Sequence, residues 1–226
     1  MARIFPVVRP PSFSIGGIDA FTVLMLHFDG ADASTSFPDS SSSGHTVTAV
    51  GDAQVDTAQS KFGGASGLLD GTNDYWTVPA SANWNWGTGD FTVDLWVRFN
   101  STARQYIFTV GNNVALLAIT PSSGLVEVYG PSSPVINTGS TPFSTGVWYH
   151  IALVRNGNSW VVYRDGTSYV TATDSRSWGS SSDTLYIGIA SSGTQDFNGW
   201  MDELRVSKGI ARWTANFTPP SGPYTT

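Results

Sequence analysis

The chain has 226 residues with 17 acidic and 11 basic side chains, a formal charge of −6. It therefore lacks the clustered Lys and Arg that nucleic acid or an anionic membrane surface would require as a partner. With no cysteine, disulfides and thiolate metal sites are excluded, and any metal must be held by oxygen or by His27, His45 or His150.

The abundance of Gly, Ser, Thr and aromatics, with little Lys or Glu, reads as mostly β, and one core is expected at this length. Residues 1–20 read as an extended arm, because Pro6, Pro10 and Pro11 remove donors and favour polyproline-like backbone. The same prolines interrupt the place where a signal peptide carries its apolar stretch, so no export signal is expected. Two readings of the arm stand side by side: a free tail, or an anchor that orders on a partner through Ile4, Phe5, Val7, Val8, Phe13 and Ile15. The apolar run at 21–26 is far too short to insert in a membrane.

The pattern then predicts a train of strands. Residues 21–28 are apolar on both parities and end at the turn Asp29-Gly30; 31–44 form a polar loop; strands follow at 46–50, 67–70 and 75–78. Residues 80–90 are a loop carrying Trp84 and Trp86. The clearest strand is 91–99, with Phe91, Val93, Leu95, Val97 and Phe99 on one face and Thr92, Asp94, Trp96 and Arg98 on the other. Strands at 106–110, 114–119 and 125–129 precede a Pro-rich loop at 131–142. Residues 148–155, 159–164 and 167–173 then form a meander, since Asn156-Gly157 and Asp165-Gly166 supply the positive φ of tight hairpins. Strands at 185–190 and 200–206 and a turn or two of helix around 208–214 complete the set. About a dozen short strands without an internal repeat predict an all-β, two-sheet antiparallel sandwich.

The stretch 199–220 holds a large share of the charge. Trp200, Asp202, Leu204 and Val206 share a parity, which predicts Asp202 on the inner side near the strand end and Glu203 with Arg205 on the other face as a cross-strand or same-face ion pair. Trp213 and Phe217 read as apolar pegs, so the stretch is expected to be a closing latch rather than an active site.

These residues together resemble a known family. Leu24-Met25-Leu26-His27-Phe28-Asp29-Gly30, Lys61-Phe62-Gly63-Gly64-Ala65-Ser66, Asp90-Phe91-Thr92-Val93-Asp94-Leu95-Trp96-Val97, Trp148-Tyr149-His150-Ile151-Ala152-Leu153-Val154-Arg155 and the segment 199–220 look like the laminin-G-like, concanavalin-A-like jelly roll. Within it, the chain is similar to the variant found in bacteriophage structural and tail proteins. The resemblance covers 21–220 and implies a jelly-roll domain at 21–226 behind the arm at 1–20. It implies fold more than function, because this superfold hosts lectins, glycosidases and structural modules alike.

Glycosidases of the superfold carry Glu-x-Asp-x-x-Glu on one strand, and this chain has only Glu127 and Glu203, neither in that pattern. No enzymatic activity is expected. His27 and His150 read as core or sheet-face imidazoles rather than catalytic bases. Hard cations take several oxygens from loops, and the related jelly rolls often bind Ca²⁺; Asp29 and Asp202 are the candidate ligands, against the alternative that these carboxylates cap turns. Carbohydrate binding needs aromatic platforms beside polar groups, for which Trp84, Trp86, Tyr129, Trp160 and Trp178 are the candidates, as residues of loops and hairpin ends.

Three functions follow. The first is a virion structural protein, as a capsid decoration, head fibre or tail component, anchored through residues 1–20 to other virion proteins. It would sit on the exposed virion surface, display a domain for host-surface glycans, and form a homo-oligomer by analogy with such proteins. The second is a carbohydrate-binding adhesin or lectin, extracellular or on a bacterial cell surface. A glycosidase is the third and least favoured.

Overall fold

The computed structural model describes residues 17–111, 115–130, 133–191 and 193–225. The expected arm falls outside them except for Gly17 to Ala20. Fifteen strands occur among the described residues: β1 (Thr22–Leu26), β2 (Thr48–Val50), β3 (Gln54–Asp56), β4 (Ser66–Asp70), β5 (Tyr75–Val78), β6 (Phe91–Phe99), β7 (Gln105–Val110), β8 (Ala115–Thr120), β9 (Leu125–Tyr129), β10 (Pro134–Thr138), β11 (Trp148–Asn156), β12 (Ser159–Arg164), β13 (Thr167–Thr173), β14 (Leu185–Ile187) and β15 (Asn198–Lys208). They form two antiparallel sheets. An eight-stranded sheet runs β13-β12-β11-β6-β15-β4-β3, with β1 also beside β15, and a seven-stranded sheet runs β10-β9-β8-β7-β14-β5-β2. This is the sandwich the sequence predicts.

The period-2 pattern of β6 explains its central place. Phe91, Val93, Leu95, Val97 and Phe99 all point into the core and are 0–1% exposed, opposite Tyr149, Ile151 and Leu153 of β11 and the inner residues of β7, β8, β9 and β14. The hairpins β11-β12 and β12-β13 close at Gly157 (φ 57°) and at Asp165-Gly166 (φ 49° and 74°), the left-handed backbone that Asn-Gly and Asp-Gly allow. β3 and β10 were not expected; both are short edge strands, and β10 starts at a proline, as an edge tolerates. No helix forms at 208–214. The one helical turn among the described residues is 3₁₀, at Ala82–Trp84.

β15 is the strand that locks the eight-stranded sheet. One side pairs with β6 along Gly199–Lys208; the other is shared, by β4 from Asn198 to Met201 and by β1 from Leu204 to Ser207. At the changeover the register slips between Asp202 and Arg205, and Glu203 sits at φ 51°. The bulge corrects the expected parity. Met201, Leu204 and Val206 face the core, whereas Asp202 and Arg205 face outward, opposite Trp96 and Asp94. An inserted residue reverses the faces beyond it, so neither an inward Asp202 nor a Glu203–Arg205 pair is found: Arg205 pairs with Asp94 and Glu203 with His27.

Around Asp202 and Arg205 the outward face is nonetheless dry. After β15 the chain turns back across it, and Trp213, Ala152, Val154 and Tyr163 form a second buried cluster, with Trp213 stacked on Phe217 at 4.0 Å between centroids. Beneath lies a bidentate ion pair, Arg205 Nε and Nη2 donating to Asp94 at 3.1 and 3.3 Å, both residues 0% exposed. Tyr224 also donates to Asp94, and Arg205 Nη1 donates to the Gly17 carbonyl at 2.9 Å. Burial alone would raise the Asp94 carboxyl; Arg205, His150 and Tyr224 hold it at about 2. Asp19 pairs with Arg212 at 2.8 Å and Gly17 bridges to Thr225, so both ends of the described chain are fastened to this side. The latch reading of Trp213 and Phe217 holds.

Candidate functional site

No tail folds back over the outer face of the seven-stranded sheet among the described residues, although its middle is closely packed, with Thr109, Ala118 and Glu127 at 1%, 0% and 5% exposed. On β9, Val126 and Val128 enter the core, which turns Leu125, Glu127 and Tyr129 outward. Glu127 lies opposite Ala118 of β8, and Ala118 opposite Tyr106 of β7. Further along, Trp76 and Ile187 point inward, leaving Tyr75, Thr77 and Tyr186 of β5 and β14 outward, the two tyrosine rings 6.3 Å apart. Four tyrosines, 75, 106, 129 and 186, therefore stand on one face, each half-buried.

A polar network fixes part of this face. Arg104, just before β7, donates through Nε to Glu127 and through Nη1 to Gln195, and the Tyr129 hydroxyl donates to the other Glu127 oxygen at 2.7 Å. The guanidinium lies 4.6 Å from the Tyr106 ring centroid and 5.8 Å from that of Tyr129. Burial works against the Arg104 charge, but its bonds to Glu127 and Tyr106 outweigh this and raise its pKa. The hydrogen bond to Glu127 likewise raises the Tyr129 phenol, aided by burial. A charge-assisted network of this kind holds ring orientations and leaves the unshared faces and edges to a ligand.

At the other end of the same face is a polar hollow of about 170 Å³, lined by Gly111, Ser182, Asp183, Thr184 and Tyr186. Gly111 has φ 67°, and a Cβ there would lie 2.6 Å from Asp183 Cγ. Only glycine lets that carboxylate sit against the strand end. Ring faces beside hydroxyls and a carboxylate are the chemistry that meets the two sides of a sugar, its C–H face and its hydroxyl edge.

Of the aromatics singled out in the sequence, Tyr129 is on this face. The exposure expected of Trp84, Trp86, Trp160 and Trp178 is not found: they are 0%, 4%, 0% and 0% exposed. The loop of Trp84 and Trp86 folds over the end of the core, bridged at Gly87 to Trp178. Trp86 stacks on Phe91 at 4.5 Å, Trp160 contacts Trp178 at 4.6 Å, and the indole N–H groups of Trp84, Trp160 and Trp178 donate to Pro79, the Asp174 carbonyl and the Asp174 carboxylate. These four residues are core lids. The strand parity of Leu125-Val126-Glu127-Val128-Tyr129 was the available signal for Glu127; Arg104, Tyr106 and Gln195 come together only through the sheet.

The bulge brings the two Asp candidates into one acidic pocket with Glu203 and His27. Asp202 Oδ2 accepts from the backbone N–H groups of Lys61 and Phe62 at 2.7 and 3.0 Å, while its Oδ1 is buried without a partner. Burial, offset in part by those two bonds and reinforced by Glu203 and Asp29, pushes this carboxyl up to about 7. Burial also raises Asp29, which Gly63 approaches so closely that a Cβ would stand 2.0 Å from Oδ1. Glu203 is committed to His27 Nδ1 at 2.6 Å and to the Tyr224 N–H at 2.7 Å. The free groups are thus Asp202 Oδ1 and Asp29, and no set of three His, Asp or Glu arranged to hold a metal occurs among the described residues.

Comparison with known proteins agrees with the fold. The profile of the Concanavalin A-like lectin/glucanases superfamily matches residues 70–212. No curated protein sequence matches the chain. Among solved structures, domain 4 of AbnA, a GH43 extracellular arabinanase from Geobacillus stearothermophilus in complex with arabinotriose, superposes with a TM-score of 0.60 at 20% identity, over 84% of this chain and 93% of that one. The binding domain of Paraclostridial Mosquitocidal Protein 1 gives 0.61 at 14% identity, over 84% of this chain and 50% of that one. Trypanosoma rangeli sialidase gives 0.60 at 15%, over 86% and 32%. At these identities the likeness is one of fold.

Proposed function

The chain belongs to the concanavalin A-like lectin/glucanase superfamily, and on that premise we propose a non-enzymatic glycan-binding domain whose site is the open tyrosine face of the seven-stranded sheet. The observation that carries this reading is the set of four half-buried tyrosines on one sheet face, two of which, Tyr106 and Tyr129, are held against the Arg104–Glu127 network. The arabinotriose held by the AbnA domain lends support by analogy. Against hydrolysis stands the partner set of Glu127, which is Arg104 and Tyr129 rather than a second carboxylate at the separation a glycosidase pair needs; the other glutamate, Glu203, lies under the tail on the opposite sheet.

The setting we propose is a virion surface, on the resemblance to phage structural proteins. Gly17 and Thr225 are bridged on the covered side, so an arm anchored to other virion proteins through residues 1–20 would leave the tyrosine face turned outward. Ca²⁺ at Asp29 and Asp202 Oδ1 is an accessory part of the proposal.

A glycan array probed with the wild type and with a Tyr106→Ala/Tyr129→Ala variant tests the site. Defined glycan signals that drop at least about tenfold in the variant are expected, which corresponds to losing roughly 1.4 kcal/mol of stacking. A blank array with and without EDTA removes the lectin reading. Mass spectrometry of purified phage particles tests the setting separately, and absence from particles would remove it while leaving glycan binding intact.

A further inference from the structure

The tail covers the eight-stranded sheet only in part. Cross-strand pairing orders the outward side chains of that sheet into rows: Val154–Thr92–Ser207, then Ala152–Asp94–Arg205, then His150–Trp96–Asp202, then Trp148–Arg98–Trp200–Leu68–Gln54. The first three rows are buried under the tail and the loop of Lys61 and Phe62. The fourth crosses five adjacent strands where the cover ends, and all five of its members are half-buried.

We propose that this fourth row is a second binding site, distinct from the tyrosine face, for an oligosaccharide that carries carboxylates. Trp148 and Trp200 flank β6 and so stand about 10 Å apart, two strand spacings. They offer stacking surfaces to sugar rings separated along a chain. Between them Arg98 donates through Nε to the Gly146 carbonyl at 3.1 Å and lies 4.8 Å from the Trp200 ring centroid. It forms no ion pair among the described residues, and its remaining N–H groups keep the planar fork that suits a carboxylate. The Trp200 indole is fixed by donation to Asp56 Oδ2 at 2.6 Å, so the platform is ordered before a ligand arrives. Lys61, over Trp96 at 3.9 Å, adds a second cation in the bordering row.

A protein partner fits less well. The row is one side chain wide, far short of the roughly 800 Å² per partner of a stable interface, and the one exposed large hydrophobic among the described residues is Val147, at 45%.

The test titrates the full chain with tetragalacturonic acid and, in parallel, with its carboxyl-reduced neutral tetrasaccharide, read by calorimetry and tryptophan fluorescence. The acid is expected to bind and the neutral chain to bind at least about tenfold more weakly, with a similar loss for Arg98→Gln and Trp148→Ala, the scale of a charge-assisted hydrogen bond. Trp148→Phe and Arg98→Lys, which keep ring and charge, should retain part of the affinity, and Tyr106→Ala/Tyr129→Ala should retain all of it. Melting curves establish that each variant is folded. The proposal is overturned by a wild type that does not bind the acid, by equal affinity for both tetrasaccharides, by binding that survives Arg98→Gln, by loss only in the tyrosine variant, or by self-association that Trp148→Ala abolishes, which would make the row a contact between copies.

Discussion

On the eight-stranded sheet, the outward positions of β6 and β15 hold Asp94 and Arg205, 0% exposed beneath the C-terminal tail. On the seven-stranded sheet, the outward position of β9 holds Glu127, paired to an Arg104 whose side chain is still 23% exposed. Both are carboxylate–guanidinium pairs with a tyrosine hydroxyl attached, and in both the carboxylate occupies the polar parity of a β-strand. What separates them is the 209–225 segment, which covers the middle of one face and lies away from the other. The same motif is therefore a structural clasp on one side and a candidate recognition surface on the other, and only the cover tells them apart.

Breaking each clasp measures that difference. Arg205→Leu leaves Asp94 buried without its cation beside Tyr224 and His150, and is expected to destabilise by about 3–5 kcal/mol. Arg104→Leu leaves the largely buried Glu127 with the Tyr129 hydroxyl still donating to it, on a face with no tail over it, and is expected to cost less, about 1–2 kcal/mol. Denaturant titration of the two variants checks this, and equal losses would erase the distinction. Trp213→Ala removes the peg that stacks on Phe217 and is expected to cost about 3 kcal/mol, measured in the same way; a melting temperature like that of the wild type would mean that the tail does not hold the cover in place.

The acidic pocket under the bulge sharpens the comparison through pH. Asp94, held at about 2 against an unfolded value near 4, adds stability above pH 4 that is lost as pH falls toward 2. Asp202, raised to about 7, has the opposite sign: the folded state keeps a proton that the unfolded state has lost, so stability falls as pH rises from about 4 to 7. The raised His27 extends that decline above its usual value. Thermal stability should therefore peak near pH 4, and Asp202→Asn should flatten the limb between 4 and 7. Ca²⁺ at Asp29 and Asp202 would keep Asp202 ionised in the fold, and added Ca²⁺ would then raise the melting temperature at pH 7.

The sandwich itself was legible in the sequence. The alternation of 91–99 and the Asn-Gly and Asp-Gly turns sufficed for β6 and the β11-β12-β13 meander, because period and turn chemistry are local. Asp202, Glu203 and Arg205 were misplaced because a bulge depends on how three neighbouring strands share β15, and nothing in the residues 200–206 signals the slip. The burial of the four indoles escapes the sequence for a related reason: a place in a loop or at a hairpin end suggests exposure, but Trp84, Trp86 and Trp178 close the open end of a core that sequence cannot outline, and Trp160 packs on Trp178 from β12. Tyr129 was reached from its place at a strand end. The tyrosines opposite and beside it needed the sheet order.

The smallest effect on stability and the largest on function should come from the open face. Tyr106→Ala and Tyr129→Ala are expected to cost about 1 kcal/mol or less each in stability, as partly exposed side chains. The most direct measurement is therefore an amide chemical-shift map of the wild type, titrated with the neutral glycan that gives the strongest array signal. Shifts concentrated on β7, β8, β9 and β14, absent in the Tyr106→Ala/Tyr129→Ala variant, are the expected result. Shifts confined to the tail side, or an unchanged map in the variant, would contradict the assignment of the tyrosine face as the glycan site.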